Sequence, residues 1–275
     1  LFRKFRNISK KYHIKIEKAM SESIDNTSNE DDVSPYSQNY AVWVPHKNPS
    51  RRTYKEIKHS MVDLTPSTYC QARCPSCART GDDGLTIPGL KLEHLSIDIL
   101  KKMVKSTRIF NETSIIRLSG DYGDPMMHPN IEEIIDICVN NSEYVIISTN
   151  GALRNAKWYT HIGNKYKYKL RIIFGIDGTN QEINNLYRVD VNFAKAYENM
   201  KAFAETPSDA EWQYIIFNHN YHQIGDAIQM ATDIGCSLFF LFNRTEYNAV
   251  TEEQEMMLAQ KYNINSPIWK LVDEL

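Results

Sequence analysis

The sequence lacks the features of a membrane-bound or secreted protein. No apolar run approaches the roughly 18 residues of a membrane-spanning helix, and the longest runs are as short as residues 238–242. The N-terminal region has no apolar stretch typical of a secretory signal. Charges nearly cancel, with 32 Lys and Arg against 34 Asp and Glu, so no general affinity for nucleic acid is indicated. We expect a cytoplasmic protein without a membrane or nucleic-acid partner.

Cysteine is also scarce. The 275 residues include five cysteines, an odd number, which argues against a disulfide framework and for a reducing compartment. Three of the five fall between residues 70 and 77, whereas Cys138 and Cys236 stand alone in apolar segments that predict core positions. With 42% apolar residues the chain can form a large core, so it is not disordered throughout.

Charge is distributed unevenly at the start of the chain. Residues 1–20 carry seven Lys and Arg against one Glu, and residues 21–35 carry five acidic residues and no basic one. Two interpretations stay open for the basic segment: an arm for a polyanion or protein partner, or a solvated helix or tail. We divide the chain into a basic arm and polar linker (1–50), a core domain (51–250) and a C-terminal helical tail (251–275).

Six apolar, β-branched runs predict buried parallel strands, at residues 61–65, 115–118, 144–149, 170–176, 211–217 and 237–242. Helical patterns lie between them; Ser96 and Asn192 are candidate N-caps, Gly235 a helix end, and Thr251 with Gln254 a capping box. Each strand-plus-helix unit has about 30 residues, the size of a βα repeat. The pattern predicts an α/β fold, a partial (β/α)6 TIM-like barrel with a parallel sheet and an N-terminal extension; a doubly wound sheet is the alternative. In both folds the site lies at the carboxyl ends of the strands.

The three clustered cysteines follow the first predicted strand with the spacing C-x3-C-x2-C. Such thiolates can bind three irons of a four-iron cluster, so the fourth iron has no protein ligand. A substrate or cofactor can then coordinate that iron, as it can at the open position of a catalytic zinc. Arg73, inside the motif, would lower the thiol pKa values. Two alternatives stay open: unliganded reactive thiols, or structural zinc completed by a distant fourth ligand. The candidates for that ligand are His59, His94, Cys138 and Cys236.

The loop carrying Cys70, Cys74 and Cys77 resembles the signature of the radical S-adenosylmethionine (radical SAM) enzymes. Further segments resemble the family in the same order along the chain. The segment from Gly120 to Pro125 is similar to the family's Gly-Gly-Glu-Pro loop, and Thr149-Asn150-Gly151 to its Thr-Asn-Gly segment. Asp177-Gly178 followed by Arg188 resembles the peptide-modifying branch that carries SPASM or twitch extensions. The resemblance covers residues 61 to about 245.

This resemblance implies a [4Fe-4S] cluster on the three cysteines and bound S-adenosyl-L-methionine (AdoMet). It implies that Asp124 receives the ammonium of AdoMet, that Arg188 pairs with its carboxylate, and that Asn150 and Asp177 lie near the ribose. The full set of implied AdoMet-binding residues is Gly120, Tyr122, Gly123, Asp124, Pro125, Asn150, Asp177 and Arg188. One electron would cleave AdoMet to a 5′-deoxyadenosyl radical, which abstracts hydrogen from a substrate. The substrate would be a peptide, a protein or a small molecule. The implied partner is an electron donor such as a ferredoxin or flavodoxin.

Three residues depart from the family pattern. Ser76 replaces a frequent aromatic residue, Tyr122 a glycine and Asp124 a glutamate, and no cysteine follows Cys236. These departures leave an alternative from another class: a non-catalytic metal-binding or interaction protein that retains the barrel, with the basic N-terminal arm as its working part.

Overall fold

The computed structural model describes residues 61–106, 115–243, 245–262 and 264. Six strands form one sheet in the order β1 to β6, and every neighbouring pair is parallel. This confirms the predicted parallel α/β fold. The predicted arm and linker lie outside the described residues, and the proposed domain boundaries stay a prediction. The strands are β1 (Met61–Leu64), β2 (Ile115–Leu118), β3 (Tyr144–Thr149), β4 (Leu170–Gly175), β5 (Asp209–Ile216) and β6 (Ser237–Phe242).

Helices connect the strands and cover one face of the sheet. They are α1 (Ile97–Ser106), α2 (Ile131–Asn140), α3 (Ala156–Tyr166), α4 (Gln181–Tyr187), α5 (Phe193–Ala204), α6 (Ile224–Ile234) and α7 (Glu252–Tyr262). In the described part of the chain no helix has the length and apolar character needed to cross a bilayer.

The predicted helix ends are confirmed by their hydrogen bonds. The Asn192 side chain accepts a hydrogen bond from the backbone N–H of Lys195 at 2.9 Å and caps α5. Gly235 ends α6 in the left-handed conformation, at φ 69°, where a residue without Cβ is favoured. Thr251 and Gln254 form the reciprocal bonds of a capping box, at 2.8 and 3.2 Å.

The core lies between the sheet and its helices. Alternate residues of each central strand point into it, because successive side chains of a strand point to opposite faces. Ile116, Ile147, Ile172, Trp212 and Leu238 are all fully buried on this face. The strand residues that face the helices are therefore apolar. This is why six strands could be predicted from the apolar runs alone.

The opposite face of the sheet is more polar than the runs suggest. Asp63 of β1 pairs with Arg117 of β2, and Arg171 of β4 pairs with Glu211 of β5 at 3.1 Å. Glu211 is only 7% exposed, so its charge needs this partner.

Parallel pairing brings all six carboxyl ends to one edge of the sheet. The loops that follow β1, β2, β3 and β4 therefore meet there, and they contain every residue that the sequence predicts for the site. Connection by right-handed βα units leaves these loops free to carry chemistry while the helices and strands hold them in place.

Candidate functional site

The cysteine loop follows β1 and is held by backbone hydrogen bonds on both sides. Thr68 N–H donates to Glu93 O at 3.0 Å, and Arg73 N–H donates to Val189 O at 3.1 Å. Cys74 is buried, Cys70 and Cys77 are half-buried, and all three are free thiols. The loop therefore presents three sulfur ligands at the edge of the sheet where the other site loops converge.

The thiols lie in an environment that disfavours unligated thiolates. Burial raises the pKa of Cys70 to about 12, with the negative charge of Asp124 as the next cause. Burial also raises the pKa of Cys74. Both shifts favour the protonated thiols, and a bound metal would displace those protons.

The donor set fits an iron–sulfur cluster with one open iron. Three soft thiol ligands come from one loop, and the two remaining cysteines are buried elsewhere, in α2 and just before β6. Among the described residues no group of three or more His, Cys, Asp or Glu side chains is arranged to hold a metal ion. Cysteines of a cluster bind separate irons and do not converge on one ion.

Two arginines lie beside the thiols, one buried and one partly exposed, and neither is the arginine that the motif suggested. Arg79 is 5% exposed and directs its guanidinium at the backbone of the cysteine loop. The positive charge of Arg188 acts on Cys74 and opposes the rise of that thiol's pKa caused by burial. Arg73 instead is half-exposed and pairs with Asp190 at 2.6 Å. The signal for Arg79 was its place two residues after the third cysteine.

Asp124 joins the loops that follow β2 and β3. Its buried carboxylate accepts hydrogen bonds from the N–H of Met126 at 2.9 Å, the hydroxyl of Thr149 at 2.9 Å and the N–H of Asn150 at 2.9 Å. The side-chain amide of Asn150 adds a fourth at 2.6 Å. Burial raises the pKa of Asp124, and these donors oppose that rise.

A pair of amide side chains connects Asp124 to the first cysteine. Gln71 donates to the side-chain oxygen of Asn150 at 2.7 Å. The Asn150 amide nitrogen lies 3.9 Å from the sulfur of Cys70. Asn150 is therefore engaged with the protein on both sides, and its predicted place near a ribose stays a prediction. Gln71 escaped the sequence analysis because only its contact with Asn150 gives it a role.

Close backbone packing brings the β2 loop against the cysteine loop. A Cβ on Gly123 would lie 2.1 Å from Ser67 O and 2.7 Å from Tyr69 O, so only glycine fits. The N–H of Asp124 donates to Tyr69 O at 2.8 Å. A Cβ on Gly120 would lie 2.7 Å from the carbonyl oxygen of Gly123, so glycine is also required there.

The other two predicted residues of this loop differ in exposure. Pro125 is buried and begins a short 3-10 helix, Pro125–Met127, that Asp124 caps. Tyr122 is 43% exposed at the loop surface. Its phenol is thus accessible to solvent, while the neighbouring Gly123 packs against the backbone of residues 67–69.

Asp177 and Arg188 form a buried ion pair at the end of β4. The Arg188 Nε donates to Asp177 Oδ2 at 2.6 Å, and the N–H of Ile215 donates to Oδ1 at 2.6 Å. Burial raises the pKa of Asp177, and the charge of Arg188 opposes that rise. A Cβ on Gly175 would lie 2.7 Å from Arg188 Nη2, so glycine leaves room for the guanidinium. This pair holds Arg188 next to Cys74.

The Arg188→Met variant is expected to lower the free energy of unfolding of the apoprotein by about 3–5 kcal/mol. Loss of the Arg188 guanidinium leaves the carboxylate of Asp177, which has 0% exposure, buried without this counter-ion. The double variant Arg188→Met with Asp177→Asn should recover part of that loss, because neither charge then remains. Urea denaturation followed by circular dichroism measures both. Equal stabilities of Arg188→Met and the wild type would contradict the buried pair.

The structure brings the predicted residues beside two of the three thiols. Asp124 and Asn150 lie beside Cys70, and Asp177 and Arg188 lie beside Cys74. Charged groups of both signs therefore lie close to the thiols, and Arg188 is itself paired with Asp177. The site can receive a small zwitterion whose two charged ends are both close to a metal-binding loop.

Comparisons with known proteins agree with this architecture. A family model described as the radical SAM superfamily matches residues 64–231. AlbA of Bacillus subtilis (strain 168), an antilisterial bacteriocin subtilosin biosynthesis protein, is 22% identical over 182 residues, which are 66% of this chain and 38% of AlbA.

Solved structures give the same fold. The structure of anSMEcpe with bound AdoMet matches with a TM-score of 0.55 and 17% identity, over 74% of this chain and 58% of that chain. Streptococcus suis SuiB bound to S-adenosylmethionine matches with a TM-score of 0.53 and 15% identity, over 75% of this chain and 49% of that chain. The chain thus spans well under two thirds of each relative, and the likeness extends to the fold of the partial barrel.

Proposed function

This chain belongs to the radical SAM superfamily, and from that membership we propose that it cleaves AdoMet reductively and abstracts hydrogen from a peptide. Cys70, Cys74 and Cys77 would hold a [4Fe-4S] cluster whose fourth iron is open. When bound, the cluster and AdoMet supply an electron transfer that breaks the S–C5′ bond, giving methionine and a 5′-deoxyadenosyl radical. The convergence of three thiols, the buried carboxylates of Asp124 and Asp177 and the guanidinium of Arg188 at a single sheet edge carries this proposal.

The chain's own residues orient the methionine end of AdoMet. Asp124 places negative charge beside Cys70 and attracts the ammonium, whereas Arg188 places positive charge beside Cys74 and attracts the carboxylate. Asp124 already accepts four hydrogen bonds, so it acts on the ammonium mainly through its charge. Backbone carbonyls of residues 120–123 supply the acceptors. Together these groups place the sulfonium next to the cluster, which is a proximity effect.

A peptide is the substrate class that the relatives support. AlbA is a bacteriocin biosynthesis protein, SuiB has been solved bound to the precursor peptide SuiA, and anSMEcpe has been solved with AdoMet and a peptide. The Asp177, Gly178 and Arg188 pattern resembles the same peptide-modifying branch. A separate electron donor of low potential, such as a ferredoxin or flavodoxin, would reduce the cluster once per cleavage.

The proposal predicts 5′-deoxyadenosine formation. Protein reconstituted anaerobically with iron and sulfide, then given AdoMet and dithionite, should release 5′-deoxyadenosine and methionine, detected by mass spectrometry. Omitting dithionite should prevent release. Stoichiometric zinc with no iron uptake would contradict the proposal and favour a non-catalytic metal-binding protein.

The deuterium content of the 5′-deoxyadenosine product identifies the substrate class. Extract from cells grown in deuterated medium is separated by ultrafiltration into peptide and small-molecule fractions, and each is added to the reaction. Deuterium in 5′-deoxyadenosine should appear with the peptide fraction, because the abstracted atom comes from the substrate. Deuterium transfer from the small-molecule fraction alone would overturn the peptide assignment and leave AdoMet cleavage intact.

A further inference from the structure

Among the residues that the structure describes, Arg79 is a buried cation without an anionic partner. The residue is 5% exposed, and no carboxylate among the residues that the structure describes forms an ion pair with it. Its Nε is buried without a hydrogen-bond partner. A guanidinium is always charged at physiological pH, and burying it unpaired is costly. A negatively charged group that binds next to Arg79 would therefore stabilise this guanidinium.

The hydrogen bonds that the structure gives the Arg79 guanidinium go to the cysteine loop. Its Nη1 lies 3.5 Å from the carbonyl oxygens of Cys70 and Ala72, and its Nη2 lies 3.5 Å from that of Thr68. These bonds are long for N–H donors, so the charge is weakly satisfied by the carbonyls. The guanidinium is thus held against the backbone that carries the first two thiols, and its charge acts on Cys70.

We propose that Arg79 is a positioning residue that supplies the positive charge of the cluster site and makes the cluster easier to reduce. This inference rests on the proposed function, since it needs the cluster. Reduction adds one electron to a cluster already made negative by three thiolates. A fixed positive charge in a region of low dielectric stabilises the reduced form more than the oxidised form. The electron itself comes from an external reductant and stays on the cluster irons.

Redox titration of the reconstituted holoprotein tests this role. Dithionite supplies the electrons, and the EPR signal of the reduced cluster gives its fraction at each potential. In Arg79→Gln and Arg79→Met the ratio of reduced to oxidised cluster at a fixed potential should fall at least about tenfold, a shift of about 59 mV for one electron. Arg79→Lys should shift less, because it keeps the charge.

Arg73→Gln is the matched control, because it removes one positive charge from the same loop at a half-exposed, ion-paired position. It should leave the potential close to that of the wild type. An equal shift in Arg73→Gln and Arg79→Gln would overturn the proposal, since net charge alone would then explain both. Neutral Arg79 variants with full iron and an unchanged potential would overturn it as well.

Failure to load iron is also decisive. If the neutral Arg79 variants fold, as judged by circular dichroism, but hold no cluster while Arg79→Lys holds one, the positive charge is required and the proposal stands. If Arg79→Lys fails in the same way, the shape of the guanidinium rather than its charge is needed, and the proposal falls. If the wild type itself takes up no iron, the proposed function fails instead.

Discussion

Replacing any one of Cys70, Cys74 and Cys77 by Ala is expected to remove the cluster and abolish AdoMet cleavage. In the proposed site each thiolate would bind a different iron and one iron would have no protein ligand, so a variant would leave two irons without one. Iron should fall from about four per chain to near zero, and the brown colour should disappear. Iron analysis and visible absorption after anaerobic reconstitution measure this, with 5′-deoxyadenosine release as the functional readout.

Cys138→Ala with Cys236→Ala is the matched control for this loss. Cys138 is 0% exposed in α2 and Cys236 is 1% exposed before β6, so both serve packing and neither has a neighbouring cysteine. The double variant should keep about four irons per chain. Iron near eight per chain in the wild type, reduced in the double variant, would refute the single cluster and indicate a second one completed by unusual ligands. A single-cysteine variant that keeps its full iron would place the cluster elsewhere.

The strands could be predicted from the sequence because burial leaves a clear trace there. Residues 238–242 of β6 form an unbroken apolar run, because the side chains on both faces of this strand are buried or half-buried. Helix α3 (Ala156–Tyr166) was not singled out, because its buried side chains, such as Tyr159 and Tyr166, alternate with lysine and asparagine. The apolar stripe of that helix is aromatic and short, and such a stripe is weak in sequence.

The partners within the site could not be predicted in the same way. The sequence placed Asp177 and Arg188 at one end of β4, but their pairing depends on the turn of α4 and on the space left by Gly175. Arg73 lies inside the cysteine motif and still turns outward to Asp190, whereas Arg79 folds back beneath the loop. Sequence spacing fixes which residues are near a site; the path of the backbone decides which side chains enter it.

The Asp124→Asn variant is expected to weaken AdoMet binding about ten- to hundredfold while the cluster stays intact. Asp124 is 3% exposed beside Cys70, where in the proposed site its charge would attract the ammonium of AdoMet. A charged contact of this kind contributes about 1.5–3 kcal/mol. Asparagine removes the charge and the two hydrogen bonds from Asn150, but its oxygen still accepts from Met126 and Thr149, so the Thr149 contact between the loops is kept. Anaerobic calorimetry of AdoMet binding, with iron per chain measured on the same sample, separates the two effects.

Asp121→Asn provides the control, because it removes the same charge from the same loop at an exposed position. Its affinity for AdoMet should match that of the wild type, since solvent screens an exposed carboxylate. Equal weakening in both variants would mean that the net charge of the loop matters and the position of Asp124 does not. Full iron and unchanged affinity in Asp124→Asn would show that Asp124 only ties the β2 and β3 loops together. The ammonium would then be held by the backbone carbonyls of residues 120–123 alone.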